Sequence, residues 1–145
     1  VKMENKNWVD LNMIREDFFR MIHDRFGIEP DYPFASDFVT AVFRRKDNLK
    51  WFAIVMSVDV KKLKIGAYGE LDIVNLKCTD EDREELAQTE GVLPAYHMNK
   101  TRWLSVIMDE QKDFDEKLSE LVQKSFDLTA SQKKKSKLKT QSVVR

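Results

Sequence analysis

With a single cysteine, Cys78, the chain has no internal disulfide available to it. That usage fits a reducing compartment, so a cytoplasmic location is expected. Glycine is equally scarce. None of the four is spaced as a dinucleotide fingerprint or a phosphate-cradling loop, which argues against Rossmann chemistry and nucleotide hydrolysis and leaves no cofactor expected. Two histidines, His23 and His97, and one cysteine fall short of a closed zinc set, and no metal site is expected. The longest unbroken apolar run covers six residues, 51–56, far below the ~20 that span a bilayer, so no membrane partner is expected. The first residues lack the charged-then-apolar pattern of a secretory leader, and export is not expected.

What remains is the composition of an ordinary globular chain, 42% apolar and 34% charged over 145 residues. That length suits one domain with a real core. The formal charge is zero, yet it is unevenly laid out. Residues 129–145 carry six cations and no acid, so residues 1–128 carry −6. Within that body, 44–64 holds seven cations against Asp47 and Asp59, whereas 79–90 holds six acids against Arg83. A charged patch steers a polyanion or an acidic partner more effectively than net charge does, although each run also reads as solvated surface.

Apolar periodicity sets the order of elements. Leu11, Ile14, Phe18, Ile22 and Phe26 recur at helical spacing over 10–26, and Gly27 supplies a helix stop. Pro30 and Pro33 then force extended chain. Strands are predicted over 38–45, 51–58 and 71–78. In the last, Leu71, Ile73 and Asn75 share one face while Val74 and Leu76 share the other. Thr79 followed by three acids has the form of a helix N-cap, predicting a helix over 80–89 that Gly91 ends. Strands over 92–98 and 103–108 flank the turn Asn99-Lys100-Thr101-Arg102. A last helix is capped by Asp113 and buries Phe114, Leu118, Leu121, Val122 and Phe126. The fold class is therefore α+β, α-β(3)-α-β(2)-α, two layers with a five-stranded, mainly antiparallel sheet. Residues 1–128 form one domain and 129–145 a basic, disordered tail.

Two clusters could carry chemistry. Cys78 and His97 could be written as nucleophile and base, although a free cysteine more often behaves as a small buried hydrophobe. Between Pro94 and Trp103 lies the densest polar-aromatic segment. There Lys100 and Arg102 can contact phosphates, Asn99 can bond a phosphate or a base edge, and Tyr96 or Trp103 could stack. The plainer alternative is an ordered turn with core aromatics.

Tyr32-Pro33-Phe34, Asn75-Leu76-Lys77-Cys78, Pro94-Ala95-Tyr96-His97-Met98-Asn99-Lys100 with Trp103, and Ser125-Phe126-Asp127-Leu128 occur in the order and spacing of the MmcQ/YjbR family. The resemblance covers residues 11–128. Arg102 stands where that family often has histidine, and Phe126 where tyrosine is usual. The resemblance implies a fold similar to the type III secretion chaperones and DNA binding through a "double wing" of two sheet loops. It marks Lys77, Tyr96, His97, Asn99, Lys100 and Trp103 as signature positions, with 44–50 and 99–102 as the wings. The leading expectation is a non-enzymatic DNA-binding domain that contacts phosphates through Arg44, Arg45, Lys46, Lys50, Lys100 and Arg102. Second comes a protein-interaction module or homodimer, and third a small-ligand binder or enzyme using Cys78 and His97.

Overall fold

The computed structural model describes residues 15–108 and 115–131. In chain order these form helix α1 (15–26), strands β1 (Ala41–Arg44), β2 (Trp51–Asp59) and β3 (Glu70–Lys77), helix α2 (Asp80–Leu86), strands β4 (Val92–Pro94) and β5 (Trp103–Ile107), and helix α3 (Asp115–Leu128). The strands make one sheet in the order β1-β2-β3-β5-β4, and every neighbouring pair is antiparallel. The element order and the α+β class are those the periodicity predicts.

Helices α1 and α3 cover one face. Phe18 and Ile22 of α1 and Leu118, Leu121 and Val122 of α3 bury against Phe43, Phe52, Val55, Val74, Leu76, Leu104 and Val106. Aromatic rings lock the layers together: Phe18 and Phe19 meet Phe43 edge-on, Phe52 meets Phe26 edge-on, and Phe126 stacks on Phe26. The first helix stops where Gly27 takes φ +68° and its N–H returns to the His23 carbonyl at 2.8 Å. The predicted start of that helix, 10–14, and the Asp113 cap of the last lie outside the described residues.

A second, smaller cluster occupies the other face, with Val58, Ile73 and Ile107 at its centre and Leu71, Leu93 and Tyr96 against it. The alternation read from 71–76 is therefore realised, with Asn75 on the Ile73 side. A bulge at Phe43/Arg44 lets Phe52 join Ala53 under the helices, while Trp51 falls opposite Arg44.

Helix α2 ends at Leu86 rather than 89, and other boundaries differ from expectation as well. Strand β1 starts at Ala41 rather than 38, because the Asp37 carboxylate takes the N–H groups of Val39 and Thr40, both at 2.9 Å, as well as the Thr40 hydroxyl. Strand β4 stops at Pro94 rather than 98, since the Tyr96 N–H donates to Ser105 Oγ (2.9 Å) and peels the chain off the edge. Thr129, assigned to the tail, belongs to the domain. It is buried, its hydroxyl donates to the Phe126 carbonyl (2.8 Å), and its own carbonyl accepts from Asn48 Nδ2 (2.8 Å). Residues 132–145 of the basic tail lie outside the described residues.

Candidate nucleic-acid interface

Strand register decides which distant cations meet. Arg44 pairs with Trp51, and Lys77 pairs with Trp103, so the ends of β1 and β3 and the starts of β2 and β5 share one end of the sheet. The loops 45–50 and 95–102 both open at that end. The 60–69 hairpin, bearing Lys61, Lys62 and Lys64, opens at the opposite end. The seven cations of 44–64 are thus split between two poles, while the two predicted wings come together with Lys77 between them.

Each wing is shaped by side-chain capping. Asn48 Oδ1 accepts the Lys50 N–H (2.9 Å), the Arg45 N–H reaches the Lys50 carbonyl (2.9 Å), and Leu49 adopts φ +63° to close the turn. In the other wing Asn99 Oδ1 accepts from the Thr101 N–H (2.9 Å) and hydroxyl (2.6 Å), and its carbonyl takes the Trp103 N–H (2.9 Å). Asn99 is a turn former. The root of this wing is held by a buried polar trio: Asn75 Nδ2 donates to the Tyr96 carbonyl (2.9 Å), Tyr96 N–H donates to Ser105 Oγ (2.9 Å), and the Ser105 hydroxyl donates to Asn75 Oδ1. Asn75 and Ser105 face each other directly across β3 and β5.

Lys77 is placed from both sides. Its N–H donates to Ser125 Oγ of α3 (2.9 Å), and that hydroxyl donates to the Phe52 carbonyl (2.6 Å), bridging β2 and β3 just where their pairing ends. The next residue ties to the opposite wing through the Cys78 N–H and the Arg102 carbonyl, at 2.9 Å. Burial pushes the Lys77 ammonium below its ordinary value of 10.5, and repulsion from Lys50 and Arg102 adds to the fall. No ion pair engages Lys46, Lys50, Lys77, Lys100 or Arg102 among the described residues. Beside Lys77 lies a cleft of about 490 Å³, lined by Cys78, Thr79, Asp80, Thr101, Arg102 and Leu128. Lys100 lies instead on a smaller hollow of about 120 Å³, with Leu93 and Pro94.

Other expected contacts sit elsewhere. Arg45 is buried: its guanidinium grips Asp47 at 2.9 and 2.8 Å, donates to the Phe126 carbonyl, and lies 4.0 Å over the Phe126 ring. It is a strut between the first wing and α3, turned away from solvent. Arg44 is half-neutralised by Asp31 (3.0 Å) and stacks 5.4 Å from the Trp51 ring. Tyr96 packs into the second cluster with its ring 4.1 Å from that of His97, and Trp103 is half-buried. His97 is exposed at φ +60°, on the segment covering the second face. Cys78 belongs to the helix-side core, where burial raises its thiol above the usual 9.0. The two therefore do not form a nucleophile and base. No group of three or more His, Cys, Asp or Glu is gathered for a metal among the described residues.

Sequence reasoning gave no role to Ser125 or Trp51, and saw in Thr79 only a helix cap. Ser125 stood inside a quoted motif. Its hydroxyl between two strands is a tertiary contact with no local signature.

The class this architecture defines is a helix-flanked antiparallel sheet with two capped loops at one end and a half-buried lysine between them. The YjbR family matches residues 23–128, and the chain belongs to that family. It is 38% identical over 117 residues to the uncharacterized protein YyaQ of Bacillus subtilis (strain 168), spanning 81% of this chain and 98% of that one. A crystal structure of a Pseudomonas syringae protein superposes with a TM-score of 0.75 at 32% identity, covering 79% of this chain and 97% of its own. The Deinococcus radiodurans protein DR2400 shares the fold, with a TM-score of 0.60 at 24% identity over 81% of this chain and 78% of its own. No helix among the described residues is long and apolar enough to cross a membrane.

Proposed function

We propose that the chain is a non-enzymatic DNA-binding protein that holds phosphates at the winged end of its sheet. The observation that supports this reading is the convergence of Lys50, Lys77 and Arg102, from three separate stretches, with no carboxylate partner among the described residues. A half-buried ammonium between two like charges is unfavourable until an anion arrives, and a phosphate backbone supplies anions at regular spacing. Lys100 extends the positive edge along the second wing, and Lys46 extends it along the first. Arg45 is withdrawn from the contact set by its internal bonds, and Arg44 is weakened by Asp31.

Five phosphate contacts predict a log-log salt slope near −4.5, so affinity for duplex DNA falls roughly 500-fold between about 50 and 200 mM salt. Fluorescence anisotropy on a labelled duplex measures it. Absence of salt-sensitive binding at micromolar protein would sink the proposal.

A protein-interaction role is favoured by one separate feature. Tyr32, Phe34, Phe38 and Val39 lie exposed along a single loop, Phe38 at 83%. A partner captured through that loop, and lost on Phe38→Ser with the wings intact, would support it.

A further inference from the structure

The cleft beside Lys77 is a small recess at the winged end of the sheet. Its walls come from the end of β3, the start of α2, the second wing and the last turn of α3, and its volume of about 490 Å³ is that of a small-ligand site. Phosphodiesters of an intact duplex lie along a convex surface, so a duplex on the proposed interface would meet the two loops from outside. A group that enters the recess must protrude.

The lining discriminates further. Lys77 and Arg102 both line the cleft and offer two cationic donors. Thr79 Oγ1 accepts the Asp82 N–H (3.1 Å), which leaves its O–H as a third donor. Asp80, the acid at the rim, is held by Arg83 at 3.0 Å, and Arg83 also donates to the Thr101 carbonyl, fastening the rim to the wing. Cys78 and Leu128 give the recess an apolar wall, and the thiol stays protonated and uncharged at neutral pH because burial raises it.

Two cations and a hydroxyl suit a dianionic phosphate with three terminal oxygens better than a singly charged diester. We infer that the Lys77–Arg102 cleft is a phosphomonoester site, which takes either the terminal phosphate of a nucleic-acid strand or a free nucleoside monophosphate. This rests on the reading above only in sharing Lys77 and Arg102 with it. The apolar wall beside the donors suits the sugar and base that follow the phosphate.

The test compares single strands of one sequence bearing a 5′-phosphate, a 3′-phosphate or only hydroxyl ends, by anisotropy with the label away from the varied end. Alongside it, amide shifts are followed during titration with AMP and with adenosine. A terminal phosphate is expected to tighten binding about tenfold. That gain should disappear in Lys77→Met and in Arg102→Gln, the second being an exposed position whose replacement leaves the core intact, and persist in Lys64→Gln at the opposite pole. AMP, but not adenosine, should shift amides at 77–79 and 101–102. If AMP does so while no strand binds, the DNA-binding reading fails and the cleft stands as a small-molecule site. If duplex and strands bind with no preference for a terminal phosphate, and AMP shifts nothing there, the phosphomonoester site is refuted and the DNA-binding reading stands.

Discussion

Both ends of the sheet carry clustered cations and use them differently. At the hairpin end, Lys61, Lys62 and Lys64 project from one loop among the exposed Ile65 and Tyr68, on residues that are open or only half-covered. At the winged end, Lys50, Lys77 and Arg102 come from three stretches of chain, and one of them is partly withdrawn from water. Charge on an open loop is screened by solvent and salt, whereas charge in a concave site of lower dielectric acts at nearly full strength. Under the proposed function, strand register is a better guide than lysine density to where an anion binds.

Several substitutions sharpen that contrast. The largest effect is expected at Arg45, which shares the first wing but serves as a buried strut. Arg45→Ala should lower unfolding free energy by about 2 kcal/mol in urea titration, since it strips a donor from the Phe126 carbonyl and removes the cation over that ring. DNA affinity per folded molecule should hold. An equal loss of affinity at unchanged stability would place Arg45 among the contacts after all.

Lys77→Met should weaken duplex binding about tenfold, because it removes the central charge without opening a void. Arg102→Gln and Lys50→Gln should each reduce the magnitude of the salt slope by about one. Replacing Lys61, Lys62 and Lys64 together by Gln should change affinity by no more than about twofold. A triple variant as damaging as Lys77→Met would reverse the comparison between the ends.

A smaller effect concerns pH. The free protein's Lys77 loses its proton below its ordinary value of 10.5, and a bound phosphate raises it again. Binding therefore takes up a proton in the alkaline window between the free and bound values. Affinity should be flat at neutral pH and fall as pH rises through that window, and Lys77→Met should abolish the dependence.

Much of this arrangement was legible in the chain itself. The stripe of Phe18 and Ile22, the stop at Gly27, the opposed faces of 71–76 and the Thr79 cap all follow from local periodicity and capping, and all recur in the structure. The two turns were legible too, because turn chemistry at Asn48 and Asn99 is local. What escaped is tertiary. Nothing near Arg45 announces that its guanidinium will meet Phe126 across the domain, and an arginine beside Arg44 and Lys46 reads as part of a basic loop. Pro94 to Met98 alternates well enough for a strand, yet Asn75 and Ser105 capture the Tyr96 backbone from the neighbouring strands and turn the segment away. The pairing of Cys78 with His97 failed for the same reason: proximity to strand ends says nothing about which side of a sheet each residue serves.

The most direct test of the central claim is a map of amide shifts on adding a short DNA duplex to the labelled protein. The account predicts changes gathered at 45–50, 77–79 and 95–102, with 60–69 silent. Changes centred on 60–69 or on the exposed loop from Tyr32 to Val39, with the winged end unmoved, would contradict it.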